Sequence, residues 1–218
     1  MPRITALEAQ QRHAERVNVF LDGEFAFGLA VITAQQAGLH VGRELSPAEV
    51  DELLAEDVFQ KAFARALILL GYRPRSEAEV RRRLNRAKFE PPVVERVLAR
   101  LRRDGLVDDR EFARYWAENR ATFNPRGARL IAQELRLKGV ERTAIEEAVE
   151  ETVDDEQGAL AAGRKKLRQL SGLDYRDFRQ KLGNYLARRG FTYDTAKEAV
   201  NQLWRESHGQ TPGDYTEE

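Results

Sequence analysis

The sequence predicts a mainly α-helical protein: three tandem three-helix units in an elongated, curved array, preceded by a small N-terminal subdomain that contains a β-hairpin. Three observations carry this reading. One set of apolar positions recurs at intervals of 51 residues, a glycine recurs inside that set, and β-prone patterning is confined to the first 45 residues.

The N-terminal part comes first. Val17-Asn18-Val19-Phe20-Leu21 and Glu24-Phe25-Ala26-Phe27 are two short β-prone runs, and Asp22-Gly23 between them tolerates the positive φ angles of a two-residue hairpin turn. Ser46-Pro47-Ala48-Glu49 then supplies an N-cap serine, a proline for the first helical turn and a glutamate placed to close a capping box. The helix that starts there is expected to reach about Leu70, with Phe59, Phe63, Ala66, Leu67 and Leu70 as its apolar stripe.

The repeat follows. Val80, Leu84, Phe89, Val94, Val97, Leu98 and Leu101 map, 51 residues on, to Ile131, Leu135, Val140, Ile145, Ala148, Val149 and Thr152. A further 51 residues lead to Leu182, Leu186, Phe191, Ala196, Ala199, Val200 and Leu203. Thr152 alone is not apolar. Between the second and third positions, Lys138-Gly139-Val140 and Arg189-Gly190-Phe191 carry the glycine of a left-handed helix cap, where the first copy has Ala87-Lys88-Phe89. An amphipathic run precedes each copy: Ala62 to Leu70, Glu111 to Arg120 and Ala159 to Leu170. The units so defined span residues 58–107, 108–156 and 157–207. They follow a stretch, 1–57, that holds the hairpin and the start of a linking helix, and precede a tail, 208–218, expected to be disordered. Three short helices bury little alone, so neighbouring units are expected to stack.

Charge is dense and locally unbalanced. The 36 basic and 36 acidic side chains cancel over 218 residues, yet the net charge is −6 over residues 1–59, +10 over 60–142 and −4 over 143–218. On the helix opened by Ser76 and Glu79, Val80, Leu84 and Ala87 point inward, so Arg82 and Arg86 point outward with Arg81 and Arg83 on the flanks. On the next helix, after Pro91-Pro92, Val94, Val97, Leu98 and Leu101 leave Arg96, Arg100 and Arg103 on the opposite side. Arg73, Arg75 and Arg102 add to this stripe, and the second unit contributes Arg120, Arg126, Arg129, Arg136 and Lys138. Two readings fit: a solvated helix face, or a surface for an anionic partner whose phosphates or carboxylates pair with the planar guanidinium fork. Arg114-Tyr115-Trp116 with Arg120 offers a stacking ring for an unpaired base, although Phe112 shares a helix face with Trp116 and argues for burial. The acidic run Glu146, Glu147, Glu150, Glu151, Asp154, Asp155 and Glu156 reads as a soluble outer face. Its alternatives are a docking surface for a basic partner or a contact with Arg164-Lys165-Lys166.

Several chemistries lack their residues. With no cysteine there is no disulfide framework, thiolate zinc site or cysteine nucleophile, in keeping with a reducing compartment. There is no Gly-rich phosphate loop, and His13, His40 and His208 have no ligand spacing, so neither a cofactor nor a metal is expected. Asp108-Asp109 precede the run from Glu111 and are read as helix N-capping residues rather than metal ligands. The N-terminus lacks the apolar run of a secretion signal, and the longest stretch free of charge, Phe25 to Gly42, is too polar to cross a bilayer; a soluble cytoplasmic protein is expected.

Three blocks are informative together: Ala66-Leu67-Ile68-Leu69-Leu70 with Arg73-Pro74-Arg75-Ser76-Glu77, Gly105-Leu106-Val107-Asp108-Asp109-Arg110-Glu111-Phe112-Ala113, and Gln133-Glu134-Leu135-Arg136-Leu137-Lys138-Gly139-Val140. They resemble the bacterial RecX family of RecA regulators, over about residues 58–207, and the hairpin region is similar to N-terminal extensions of some members. Ala87-Lys88 departs from the Lys-Gly common in that family. The resemblance implies tandem three-helix repeats, in agreement with the spacing. It also implies a non-enzymatic protein that binds along the groove of the RecA–DNA filament and restrains strand exchange, ATP hydrolysis and co-protease activity in DNA repair and the SOS response; a monomer is expected. Weak contact with single- or double-stranded DNA, without sequence preference, belongs to the same expectation. The competing reading from the basic block is a stand-alone DNA-binding protein built of helix-turn-helix-like units.

Overall fold

The structure, a computed structural model, describes residues 1–11 and 13–208. Strands β1 (Ile4–Gln10), β2 (His13–Leu21) and β3 (Glu24–Ala30) form an antiparallel sheet in the order β1-β2-β3. The helices are α1 (Val31–Gln36), α2 (Pro47–Tyr72), α3 (Glu77–Arg86), α4 (Pro91–Arg103), α5 (Asp109–Phe123) and α6 (Ala128–Leu137), followed by α7 (Arg142–Thr152), α8 (Asp155–Arg164), α9 (Leu167–Leu170), α10 (Tyr175–Arg188) and α11 (Tyr193–His208). Of the tail expected at 208–218, His208 closes α11 and the rest lies outside the described residues. The chain forms two compact units, Met1–Pro74 with Val80–Leu106, and Arg75–Glu79 with the chain from Val107 onward.

In the first unit the predicted hairpin joins β2 and β3, and both of its turn residues take positive φ, 50° at Asp22 and 92° at Gly23. A third strand, β1, was not expected; it pairs antiparallel with β2, Leu7 opposite Val19. Ile4, Val19, Phe27 and Leu29 from the sheet meet Leu45 and Leu53 in one buried cluster. The capping box forms as the sequence predicts: Ser46 Oγ accepts from the Glu49 amide at 3.2 Å, and the Glu49 carboxylate accepts from the Ser46 amide at 2.8 Å. Asp57, buried on α2, ties helix to sheet by accepting from the Ala30 amide at 2.7 Å while pairing with Arg16 at 3.2 Å and Lys61 at 2.7 Å. Burial alone would raise its pKa, but the hydrogen bonds from Lys61, Arg16 and Ala30 outweigh this and hold the carboxyl below its usual range.

Helix α2 continues into the first three-helix unit, where Phe59, Ala62 and Ala66 are buried with Val80, Leu84, Val94, Val97, Leu98 and Leu101. The expected stripe is displaced here. Leu67 is exposed and Leu70 half-buried, because a single helix cannot turn both the Ala62–Ala66 edge and the Leu67 edge toward the same core.

In the second unit the 51-residue register translates into burial. Across the whole molecule every repeat position is buried except Phe89, Val149 and Thr152, which are half-buried. Lys88, Gly139 and Gly190 all take the left-handed conformation, at φ of 63°, 84° and 88°. Each is followed by the same closing bond, from the amides of Phe89, Val140 and Phe191 to the carbonyls of Leu84, Leu135 and Leu186. The run expected from Ala159 to Leu170 breaks into α8 and α9, since the Lys166 amide folds back onto the Gly163 carbonyl at 2.7 Å.

Two joints inside this unit are built alike. Ser76 Oγ donates to the Lys138 carbonyl at 2.7 Å, and the Glu77 amide donates to Asp109 at 2.8 Å. One repeat later the Gly127 amide donates to the Arg189 carbonyl at 2.9 Å, and the Ala128 amide donates to Asp155 at 2.8 Å. In both, a carbonyl of the next repeat's inter-helix turn accepts from the residue that precedes a second helix, from the Ser76 hydroxyl in one and the Gly127 amide in the other, and the first residue of that repeat's opening helix accepts the first free amide of the helix. Of the pair expected to cap α5, Asp108 does so, accepting from Arg110 and Glu111, while Asp109 serves the neighbouring helix instead.

Candidate functional site

The candidate surface is the set of cations predicted to point outward, and the structure divides it sharply. On α3, Arg82, Arg83 and Arg86 are exposed and have no carboxylate partner among the described residues. On α4, two of the three predicted arginines lean onto α2. Arg96 pairs with Glu56 and its guanidinium lies 4.0 Å from the Phe59 ring centroid. Arg100 bonds Asp104 at 2.6 Å and lies 5.6 Å from the Phe63 ring centroid. Arg103 is 70% exposed in its side chain and 3.5 Å from Asp104. The Arg100 hydrogen bond, with Arg103 adding to it, holds the Asp104 carboxyl below its usual range. All three arginines of the α4 stripe are exposed, as helical geometry predicts, but Arg96 and Arg100 each already have an acid and an aromatic ring beside them.

Arg73 is half-buried and donates to the Pro74 carbonyl at 2.9 Å; Arg75 is likewise half-buried. In the second repeat, Glu134 gathers the cations. It accepts from Trp116 Nε1 at 2.7 Å and Arg120 Nε at 2.8 Å, and it pairs with Arg126. Trp116 is half-buried against that repeat's core, with Lys138 Nζ 3.9 Å and the Arg120 guanidinium 4.4 Å from its centroid. Its ring is thus occupied internally. Arg129 and Arg136 are exposed without a carboxylate partner among the described residues.

The acidic run is also matched from within. Glu146 pairs with Arg142 at 2.6 Å, Glu147 with Arg110 at 3.7 Å and Glu151 with Arg114 at 3.1 Å, while Glu150 is exposed. The suggested contact with Arg164-Lys165-Lys166 does not form: Arg164 pairs with Glu206 at 3.0 Å, Lys165 bonds the Phe123 carbonyl and Lys166 bonds Gln169.

The sequence signal for these pairings is Glu56, Phe59 and Phe63 on one side of the linking helix, an acid and two rings placed to receive arginines.

Four family models match consecutive parts of the chain: the Regulatory protein RecX N-terminal domain over residues 2–46, and the first, second and third RecX three-helix domains over 62–101, 108–149 and 154–200. The chain belongs to the RecX family. The chain is 32% identical to the Regulatory protein RecX of Bacillus subtilis over 97% of this chain and 81% of that one, and 33% identical to that of Bacillus velezensis over 93% and 78%. A crystal structure of regulatory protein RecX superposes with a TM-score of 0.73 at 27% identity, covering 91% of this chain and 98% of the other. RecX from Lactobacillus salivarius shares the fold, with a TM-score of 0.60 at 22% identity over 68% of this chain. The named RecX relatives are regulatory proteins. Within this RecX chain, the Lys88 departure from the family's turn glycine leaves the turn intact, since Lys88 is exposed and takes the same left-handed conformation as Gly139 and Gly190.

Proposed function

We propose that this protein is a non-enzymatic, monomeric cytoplasmic regulator that binds the RecA–DNA filament and restrains its recombinase, ATPase and co-protease activities. The observation that carries the reading is the succession of four RecX domain matches, in order, between residues 2 and 200. The charge pattern supports it. A regulator that sits on a protein–DNA filament needs cations that are not already neutralised, and Arg82, Arg83 and Arg86 supply them. Their contacts to phosphate would add affinity without sequence choice, and the rest of the basic face, including Arg103 and Arg129, is assigned the same supporting role.

Capture of RecA by the immobilised protein in the absence of DNA tests this reading. The proposal requires direct retention of RecA. Retention that appears only when DNA is added would favour the stand-alone DNA-binding alternative, and preference for one operator over random sequence by about 10³ or more would establish it.

A further inference from the structure

Helix α2 uses two of its sides and leaves a third bare. Leu53 and Asp57 serve the sheet, while Phe59, Ala62 and Ala66 are buried in the first three-helix unit and Phe63 receives Arg100. The remaining face carries Leu54, Val58, Lys61, Arg65, Ile68 and Tyr72, all exposed, at alternating intervals of four and three residues. That spacing keeps one seam of a helix turned toward a second helix. From Leu54 to Tyr72 the seam runs about 27 Å at the helical rise of 1.5 Å per residue.

Four of these six side chains are large and apolar, and exposure reaches 65% at Ile68 and 79% at Tyr72. One exposed apolar side chain is ordinary, whereas a row of them along a single helix marks a surface for another protein. Ala55, Ala64 and Gly71 flank the seam, all exposed, so nothing bulky holds an approaching backbone away. With the sheet side and the three-helix side already apolar, this third side makes α2 a helix with apolar residues all round, the pattern of a helix that is covered on every face.

The two polar positions say what covers it. Lys61 and Arg65 sit at the middle of the seam, between Val58 and Ile68. Lys61 shares the single carboxylate of Asp57 with Arg16, at 2.7 Å and 3.2 Å, and Arg65 has no carboxylate partner among the described residues, so the centre keeps a net positive charge. A second copy of the chain does not fit. In an antiparallel pair Leu54 would meet Tyr72 and Val58 would meet Ile68, but Lys61 would meet Arg65; in a parallel pair each cation would meet its like. Either way like charges would face each other inside an apolar seam, which is strongly unfavourable. We propose that this face of α2 is a docking surface for an amphipathic helix of another protein, with apolar residues at the same intervals and acidic residues at the middle of its seam, opposite Lys61 and Arg65. The inference stands apart from the filament reading, because it concerns recognition of a helix and involves no nucleic acid.

Two labelled synthetic peptides of three heptads, titrated with the full chain and followed by fluorescence anisotropy, test it. Both carry leucine along the seam, and at the two central seam positions one has glutamate and the other lysine. The glutamate peptide binds, and the lysine peptide binds about tenfold more weakly or worse. Ile68→Ser, at an exposed position, weakens the glutamate peptide about fivefold or more and leaves the melting temperature of the protein unchanged. Arg65→Glu weakens the glutamate peptide and strengthens the lysine peptide, a reversal that a loss of folding cannot imitate. No binding of the glutamate peptide, equal affinity for both peptides, or no response to Arg65→Glu overturns the proposal. Sedimentation that shows a dimer dissociated by Ile68→Ser also overturns it, by assigning the face to a second copy. All of these are read without RecA or DNA, so failure here and failure of the filament reading are separate results.

Discussion

Gly139 and Ala78 approach so closely that a Cβ built on the glycine would fall 2.4 Å from the alanine's own. At φ of 84° the same residue also occupies the left-handed region, so glycine is required there twice over. Gly139→Ala should cost about 2 kcal/mol or more, of which ~1–2 kcal/mol is the backbone term. Adding Ala78→Gly should recover the steric part and leave the backbone part, giving a favourable coupling in a double-mutant cycle. Lys88→Gly, at an exposed turn of the same geometry, should change stability by no more than about 1 kcal/mol. Urea titrations of the four proteins decide this, and additive losses for Gly139 and Ala78 would mean the contact is not made.

Asp57 anchors the sheet to α2 through Arg16, Lys61 and the Ala30 amide. Its removal strands Arg16, whose side chain is only 19% exposed, so Asp57→Ala should destabilise the protein by about 2–4 kcal/mol. The sign with pH follows from the lowered pKa: the carboxylate's contribution is present above the ordinary aspartate value and fades as pH falls through the lower folded value. Denaturation midpoints of wild type and variant should therefore converge in acid.

Arg96 and Arg82 separate structural from available charge. Arg96→Glu sets a carboxylate against Glu56 and removes the cation from Phe59, and should cost about 1–2 kcal/mol. Arg82→Glu alters an exposed side chain and should stay within ~0.5 kcal/mol. Thermal unfolding distinguishes them, and equal melting temperatures would show that the Arg96 contacts to Glu56 and Phe59 add no stability.

Much of this architecture was legible because it is periodic. The repeat positions Leu84, Leu135 and Leu186 are each fully buried, and the spacing between them needs no knowledge of what they touch. Strand β1 was not legible, since Ala6, Leu7, Glu8, Ala9 and Gln10 are all good helix formers and become a strand only by pairing with β2. The basic surface was half legible. Outward direction on α3 and α4 follows from helical geometry, but which arginines are neutralised depends on Glu56 and Glu134, 40 residues before Arg96 and 14 after Arg120. Distance along the chain hides such partners, and no periodicity reveals them.

Asp155 holds a neighbouring helix amide at a cost in desolvation, and burial raises its pKa, with Asp154 adding to the effect. A raised pKa means that its favourable contribution belongs to the protonated form, present below the unfolded value and lost as pH rises through the folded one. Asp155→Asn keeps an acceptor without the charge. It should be at least as stable as wild type near neutral pH, with the difference closing toward about pH 4, where aspartate protonates. Greater stability of the wild type at neutral pH would show that the charge itself supports the joint.

The most direct test of the RecA reading is the rate of ATP hydrolysis by RecA on single-stranded DNA as the protein is added at substoichiometric ratios. A filament regulator acting along many subunits predicts a fall in turnover well before one copy is present per RecA. Unchanged turnover at every ratio, including excess, would contradict the account.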